Sequence, residues 1–170
     1  MAAGAVFTLL LVGACVTDLR SRRIPNGLVL ALVLGGIGYS MATMAPLAAL
    51  GYALGGGVVG LALWLPFWLM RVLGAGDVKL AAASGTWLGI AGILEASLLA
   101  AVVGGLLAVW ALSRQGGLSA AVTRFGGWML ASRAAGAIAP EVTPKERRIP
   151  YGLAIAAGSA AAAWVPGLIW

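Results

Sequence analysis

The sequence predicts an all-α, polytopic membrane protein with six transmembrane helices, N and C termini outside and basic loops cytoplasmic. Three observations predict it. Of 170 residues, 62% are hydrophobic and 9% charged, and the mean hydropathy is +1.02. A soluble domain is about 45–50% apolar and about 25% charged, so lipid must solvate most of this surface. Charge-free runs long enough to cross a bilayer follow one another along the chain. Finally, all 11 basic residues fall between alternate runs. Disorder, collagen, coiled coil and a sizeable extramembranous domain are excluded, and residues 1–170 read as one integral-membrane domain.

A spanning helix needs about 20 apolar residues, in a range of about 17–25. The first span is expected at 2–18. It lacks a basic stretch ahead of it, and its arginines follow it, so it reads as a retained span and not a signal peptide. Residues 24–70 contain no charge and as one helix would reach about 70 Å at about 1.5 Å per residue. They must fold back once, near Thr43–Pro46, giving spans at 27–44 and 47–70. Residues 80–113 contain only Glu95 and are too long for one crossing, so a turn is expected near Gly89–Glu95, between spans at 78–94 and 96–113. The last span is expected at 151–169. Gly55, Gly56, Gly57 and Gly60 in the third span suit close helix packing in lipid, where small residues let backbones approach. Residues 114–148 form a long polar connection. In it Leu118, Val122, Phe125 and Met129 recur at helical spacing, the mark of a short helix at the membrane interface.

Orientation follows from the basic residues. Arg20, Arg22 and Arg23 lie between spans 1 and 2, Arg71 and Lys79 at the 3–4 connection, and Arg114, Arg124, Arg133, Lys145, Arg147 and Arg148 between spans 5 and 6. The excess of Lys and Arg in cytoplasmic loops makes these loops cytoplasmic. Topology thus accounts for the net charge of +6, and no nucleic-acid partner is needed.

The residue inventory narrows the chemistry. There is no His and one Cys, Cys15, so serine- or cysteine-triad catalysis, His-ligated zinc and CxxC metal sites are excluded; no metal or cofactor is expected. The acids are Asp18, Asp77, Glu95, Glu141 and Glu146. Asp18 ends span 1 and Asp77 opens span 4, both at the cytoplasmic edge. A carboxylate in hydrocarbon costs about 2.5–3.5 kcal/mol at a helix centre, less near the interface, and such groups usually face a cavity or a partner. Two carboxyls held together share a proton. One can activate water toward a peptide carbonyl while the other protonates the carbonyl oxygen and then the leaving amine. The pair titrates as a unit. Asp77 follows Gly74-Ala75-Gly76, whose glycines permit a close backbone approach. Non-helical backbone at this depth must line a cavity or be buried, so an extended peptide could enter there. Two alternatives exist: a protease for another membrane substrate, and a small transporter moving protons or cations through the aspartates. Transporter sites favour the midplane, whereas both aspartates lie at one edge.

Three motifs carry a family resemblance. GAGDVKLAAASGTWLG at 74–89, DLRSRRIPN at 18–26 and RRIPYGLAIAAG at 147–158 resemble, in order, the second-aspartate, first-aspartate and last-span motifs of bacterial type IV prepilin leader peptidases, GxGD-type aspartyl proteases. The resemblance implies Asp18 and Asp77 as the catalytic pair. It also implies cleavage of a pilin precursor at the cytoplasmic face of the bacterial inner membrane, just ahead of the pilin's hydrophobic segment. Longer members carry an N-terminal methyltransferase domain with paired CxxC motifs. With Asp18 so early and Cys15 alone, that domain is expected to be absent, and the compact form is similar to the prepilin peptidases of tight-adherence (Flp) pilus systems.

The segments Arg22–Leu28 and Arg147–Leu153 match at six of seven positions (RRIPNGL, RRIPYGL). Each reads as a helix-entry recipe, with Pro25 and Pro150 expected in a first helical turn and arginines at the interface. Asn26 and Tyr151 are candidates to line the substrate entrance, and Gly152 follows in the same motif. Lys79 and Arg20, two residues from the aspartates, either anchor the interface or bias the pair electrostatically.

Overall fold

The computed structural model describes residues 2–21, 24–70, 73–113 and 151–165. All regular structure among them is helical: α1 Ala2–Ser21, α2 Asn26–Thr43, α3 Pro46–Leu69, α4 Ala75–Ser113 and α5 Tyr151–Trp164. The first four are long and apolar enough to cross a membrane; α5 is shorter. Met1–Gly104 and Pro150–Trp170 form one compact unit, and Gly105–Ile149 a second, described only as the helical end of α4. The interfacial helix expected around Leu118–Met129, and Pro150, lie outside the described residues.

The expected fold-back near Thr43–Pro46 is present. The Met44 N–H closes α2 on the Ser40 carbonyl at 2.9 Å, Ala45 is extended (φ −59°, ψ 143°), and Pro46 opens α3. A residue before proline is pushed out of the helical region, and proline at the first helical position loses no hydrogen bond.

The second fold-back falls within the expected Gly89–Glu95 stretch, at its first residue rather than between the spans drawn at 78–94 and 96–113. It falls at Gly89, the only described glycine with positive φ (68°, ψ −172°), a conformation that glycine adopts without a Cβ penalty. Glu95 is not in the turn but inside the helix that follows, only 3% exposed. Contacts along α3 show the reversal. A Cβ built on Gly56 would meet the Gly85 carbonyl and Gly89, and one on Gly60 would lie 2.6 Å from the Ala81 oxygen and 3.2 Å from Ile93. Farther along, Trp64 Nε1 donates to Ser97 Oγ at 3.1 Å. As α3 advances, its contacts recede from Gly85 to Ala81 in the first arm and advance from Gly89 through Ile93 to Ser97 in the second, so the first arm runs antiparallel to α3, the second runs parallel to it, and the two arms are antiparallel to each other. The second arm then lies along α5, with Gly158 against Ala96 and Ala100 and Gly104 against Tyr151.

Packing therefore depends on small residues facing backbone. Larger apolar side chains fill what is left: Phe7, Leu11, Leu32, Trp64, Leu80, Trp87 and Ile155 are buried. Trp87 stacks on Phe7 with centroids 5.1 Å apart, and its Nε1 donates to the Leu32 carbonyl at 2.7 Å. Leu9, Leu34, Leu47, Val58 and Leu106 stay exposed, as expected where hydrocarbon chains surround the bundle.

Candidate active site

One end of the bundle gathers the last turn of α1 and the first turns of α4 and α5. The start of α4 is built by its own sequence. Gly74 precedes the helix, and Asp77 is its third residue. The Gly74 N–H donates to Asp77 Oδ2 at 3.1 Å, while the Asp77 N–H donates to the Gly74 carbonyl at 3.1 Å. A side chain at the third helical position reaching back to the residue before the helix is half of a capping box, and it satisfies a backbone donor that the helix leaves open. The bond holds one carboxyl oxygen of Asp77, which is 9% exposed.

The other oxygen points to α5. A Cβ built on Gly152 would lie 3.2 Å from Asp77 Oδ1 and 2.9 Å from Asp18 Oδ2. Two oxygens that close to a single point are no farther from each other than twice the longer distance. Asp18, half-buried in the last turn of α1, and Asp77 thus face one another across a small space floored by Gly152. Cys15, one turn before Asp18, reaches the Gly152 carbonyl at 4.0 Å, so α1 and α5 are in contact at this level. Within that bound two carboxyls can flank a single water, the arrangement acid–base hydrolysis needs. Among the described residues no group of three or more His, Cys, Asp or Glu side chains could hold a metal ion.

The remaining sequence candidates divide. Gly76 packs on Ile24, its Cβ position 3.4 Å from that side chain, which ties the start of α4 to the residue before Pro25. Pro25 stands one residue before α2 (φ −60°, ψ 135°), not in its first turn as expected. Its carbonyl accepts from the Leu28 and Val29 N–H groups at 3.1 and 3.2 Å. Lys79 Nζ donates to Asn26 Oδ1 at 3.1 Å, and both side chains are exposed. Lys79 thus pairs with Asn26, not with a carboxylate. Arg20 is exposed in the last turn of α1. Tyr151 stands edge-on to Trp64, ring centroids 6.0 Å apart.

Ile24, packed on Gly76, and Trp64, packed on Tyr151, belong to this end of the molecule, and nothing in an apolar residue's local sequence marks it for such a contact.

Comparison with known proteins gives the family. The type IV leader peptidase family matches residues 5–109, which include both aspartates, and the chain belongs to that family. A Xanthomonas campestris pv. campestris protein described as a prepilin leader peptidase/N-methyltransferase is 35% identical over 119 residues, 64% of this chain and 40% of that one. Proteins of the same description from Klebsiella pneumoniae and Dickeya chrysanthemi are each 38% identical. The first is matched over 56% of this chain and 43% of that one, the second over 51% and 32%. The chain therefore spans about two fifths or less of the length of these relatives. No solved structure matches.

Proposed function

We propose that this chain is a membrane-embedded aspartic endopeptidase that removes the leader peptide from type IV prepilins of the Flp-like kind. The convergence of Asp18 Oδ2 and Asp77 Oδ1 on one point beside Gly152 carries the reading. Family membership and the names of the relatives support the substrate class.

In the proposed reaction one carboxylate takes a proton from water as its oxygen bonds to the scissile carbonyl carbon. The partner carboxylic acid gives its proton to the carbonyl oxygen, and a neutral gem-diol results. On collapse, one hydroxyl proton returns to the pair as the C–N bond breaks. The proton taken first passes to the leaving amine. Protons balance without metal or covalent intermediate, and each carboxyl ends as it began. Gly152 leaves room for the substrate backbone between the two acids.

The proposed topology is that of the charge pattern: α1, α2, α3, the two arms of α4 and α5 give six crossings of the bacterial inner membrane. The dyad then lies at the cytoplasmic face with Arg20 and Lys79, beside the connections that carry the basic residues. Asn26 and Lys79 flank the way in.

The test is the intact mass of a co-expressed Flp-type pilin precursor. Wild-type enzyme should shorten it to a form beginning just before its hydrophobic segment, and Asp18→Asn and Asp77→Asn should each leave it full length. Cleavage by either variant would dismiss the dyad. A precursor panel left intact by wild type would dismiss the substrate class.

A further inference from the structure

At the opposite end of the bundle a cavity of about 650 Å³ opens between the start of α1, the end of α2, the Gly89 reversal and the end of α5. Phe7, Tyr39, Tyr52, Trp87 and Trp164 line it, and so does one acid, Glu95. Glu95 is 3% exposed, and among the described residues it has no hydrogen-bond or ion-pair partner. Of the four side-chain donors that line the cavity, three are committed elsewhere, and the fourth, the Tyr39 hydroxyl, makes no bond to Glu95. Trp87 Nε1 donates to the Leu32 carbonyl at 2.7 Å, the Tyr52 hydroxyl to the Trp87 carbonyl at 3.4 Å, and Trp164 Nε1 to Thr8 Oγ1 at 3.0 Å. The described basic side chains, Arg20 and Lys79, belong to the dyad end. A buried acid inside a membrane protein, without donor or countercharge, is costly to keep unless something completes it.

We infer that this cavity binds an organic ammonium group, with Glu95 as the countercharge and the aromatic wall as the cage. Aromatic faces attract cations, quaternary and alkyl ammonium ions in particular, and the attraction strengthens out of water. A metal ion is the poorer fit. It requires several oxygen or nitrogen donors, and Glu95 is the one carboxylate lining the space. Tyr39 and Trp164, 40% and 54% exposed, form the mouth, and aromatic residues of this kind sit at lipid headgroup level. The ammonium is therefore either the headgroup of an ethanolamine- or choline-type lipid or a free amine of the same class. The site is independent of the peptidase assignment.

The experiment is calorimetric titration of the full chain in phosphatidylglycerol nanodiscs with choline chloride, and in parallel with 3,3-dimethyl-1-butanol, its uncharged isostere. Choline should bind saturably and the alcohol at least tenfold more weakly. Glu95→Gln, checked for an unchanged melting temperature, should weaken choline at least tenfold. The alcohol comparison uses wild-type protein and so stands even if the variant does not fold. Repeating the titration in nanodiscs containing phosphatidylethanolamine separates the sources. A tenfold loss of apparent choline affinity identifies a lipid headgroup as the occupant, and an unchanged affinity identifies a free amine. Absence of saturable choline binding, equal binding of the alcohol, or undiminished binding by folded Glu95→Gln would each overturn the inference.

Discussion

Gly152 faces Asp18 so closely that a Cβ on the glycine would stand 2.9 Å from the carboxyl oxygen Oδ2, with Asp77 Oδ1 3.2 Å away on the other side. A methyl group there would occupy the space in which two carboxyls and a substrate carbonyl must meet. Gly152→Ala should therefore slow prepilin cleavage by about 10²-fold, since displacements of about 1 Å at a reacting centre cost that much. The glycine at the matching place of the repeated segment is the control. Gly27 has nothing within 4 Å of its Cβ position, and Gly27→Ala should cleave at the wild-type rate. Single-turnover rates of the two variants, measured on one precursor, check the pair.

The capping bond to Gly74 lets chemistry and stability be separated at Asp77. In Asp77→Asn the amide oxygen can still accept the Gly74 N–H, so the start of α4 stays formed. The proton inventory of the pair is nevertheless broken. Cleavage should fall by at least about 10³-fold, within the range expected for loss of acid–base catalysis, with the melting temperature nearly unchanged. Asp77→Ala removes the acceptor as well and should lose an additional ~1 kcal/mol of stability. Thermal unfolding in detergent beside the cleavage assay distinguishes the two.

Much of this end of the molecule was legible in the sequence because charge in an apolar chain is rare and therefore informative. Two aspartates at one depth, the glycines before Asp77 and the basic residues around them stand out without any structure. What the residues cannot announce is distance. Arg22–Leu28 and Arg147–Leu153 read almost identically, yet Gly27 meets open space while Gly152 floors the carboxyl pair; only tertiary packing of α1, α4 and α5 makes the difference. The reversal of α4 was expected from length alone, which bounds a turn without placing it. Its position at Gly89 is set by which glycine could take φ 68° beside the Tyr52 ring. Glu95 then falls within a helix and faces a cavity that no linear pattern marks.

Stability should depend most on the glycines where α3 meets the first arm of α4. A Cβ on Gly56 would strike the Gly85 carbonyl, and one on Gly85 the Gly56 carbonyl. Both obstacles are backbone and cannot rotate away, so the helices must separate. Gly56→Ala and Gly85→Ala should each cost about 1–3 kcal/mol, the usual penalty of overpacking. Gly51→Ala, on the same helix but with nothing within 4 Å, should be neutral or slightly stabilising, because alanine is the better helix former. Unfolding midpoints of the three variants decide this; equal midpoints would mean that the close approach contributes no specificity to the fold.

Asn26 and Lys79 join the first turn of α2 to α4 through a 3.1 Å bond from Nζ to Oδ1. Being exposed, the bond adds little to global stability, and neither Asn26→Ala nor Lys79→Ala should move the melting temperature appreciably. Its effect should instead appear in the placement of α4, whose third residue is Asp77. If the pair acts as one strut, each single variant slows cleavage several-fold and the double variant is no slower than either, because the second substitution removes nothing that remains. If Asn26 instead contacts the entering peptide by itself while Lys79 serves the interface, the two losses multiply. A double-mutant cycle on kcat/KM separates these outcomes, since residues sharing one interaction are non-additive and independent ones are not. The observed bond between the two side chains favours the first outcome.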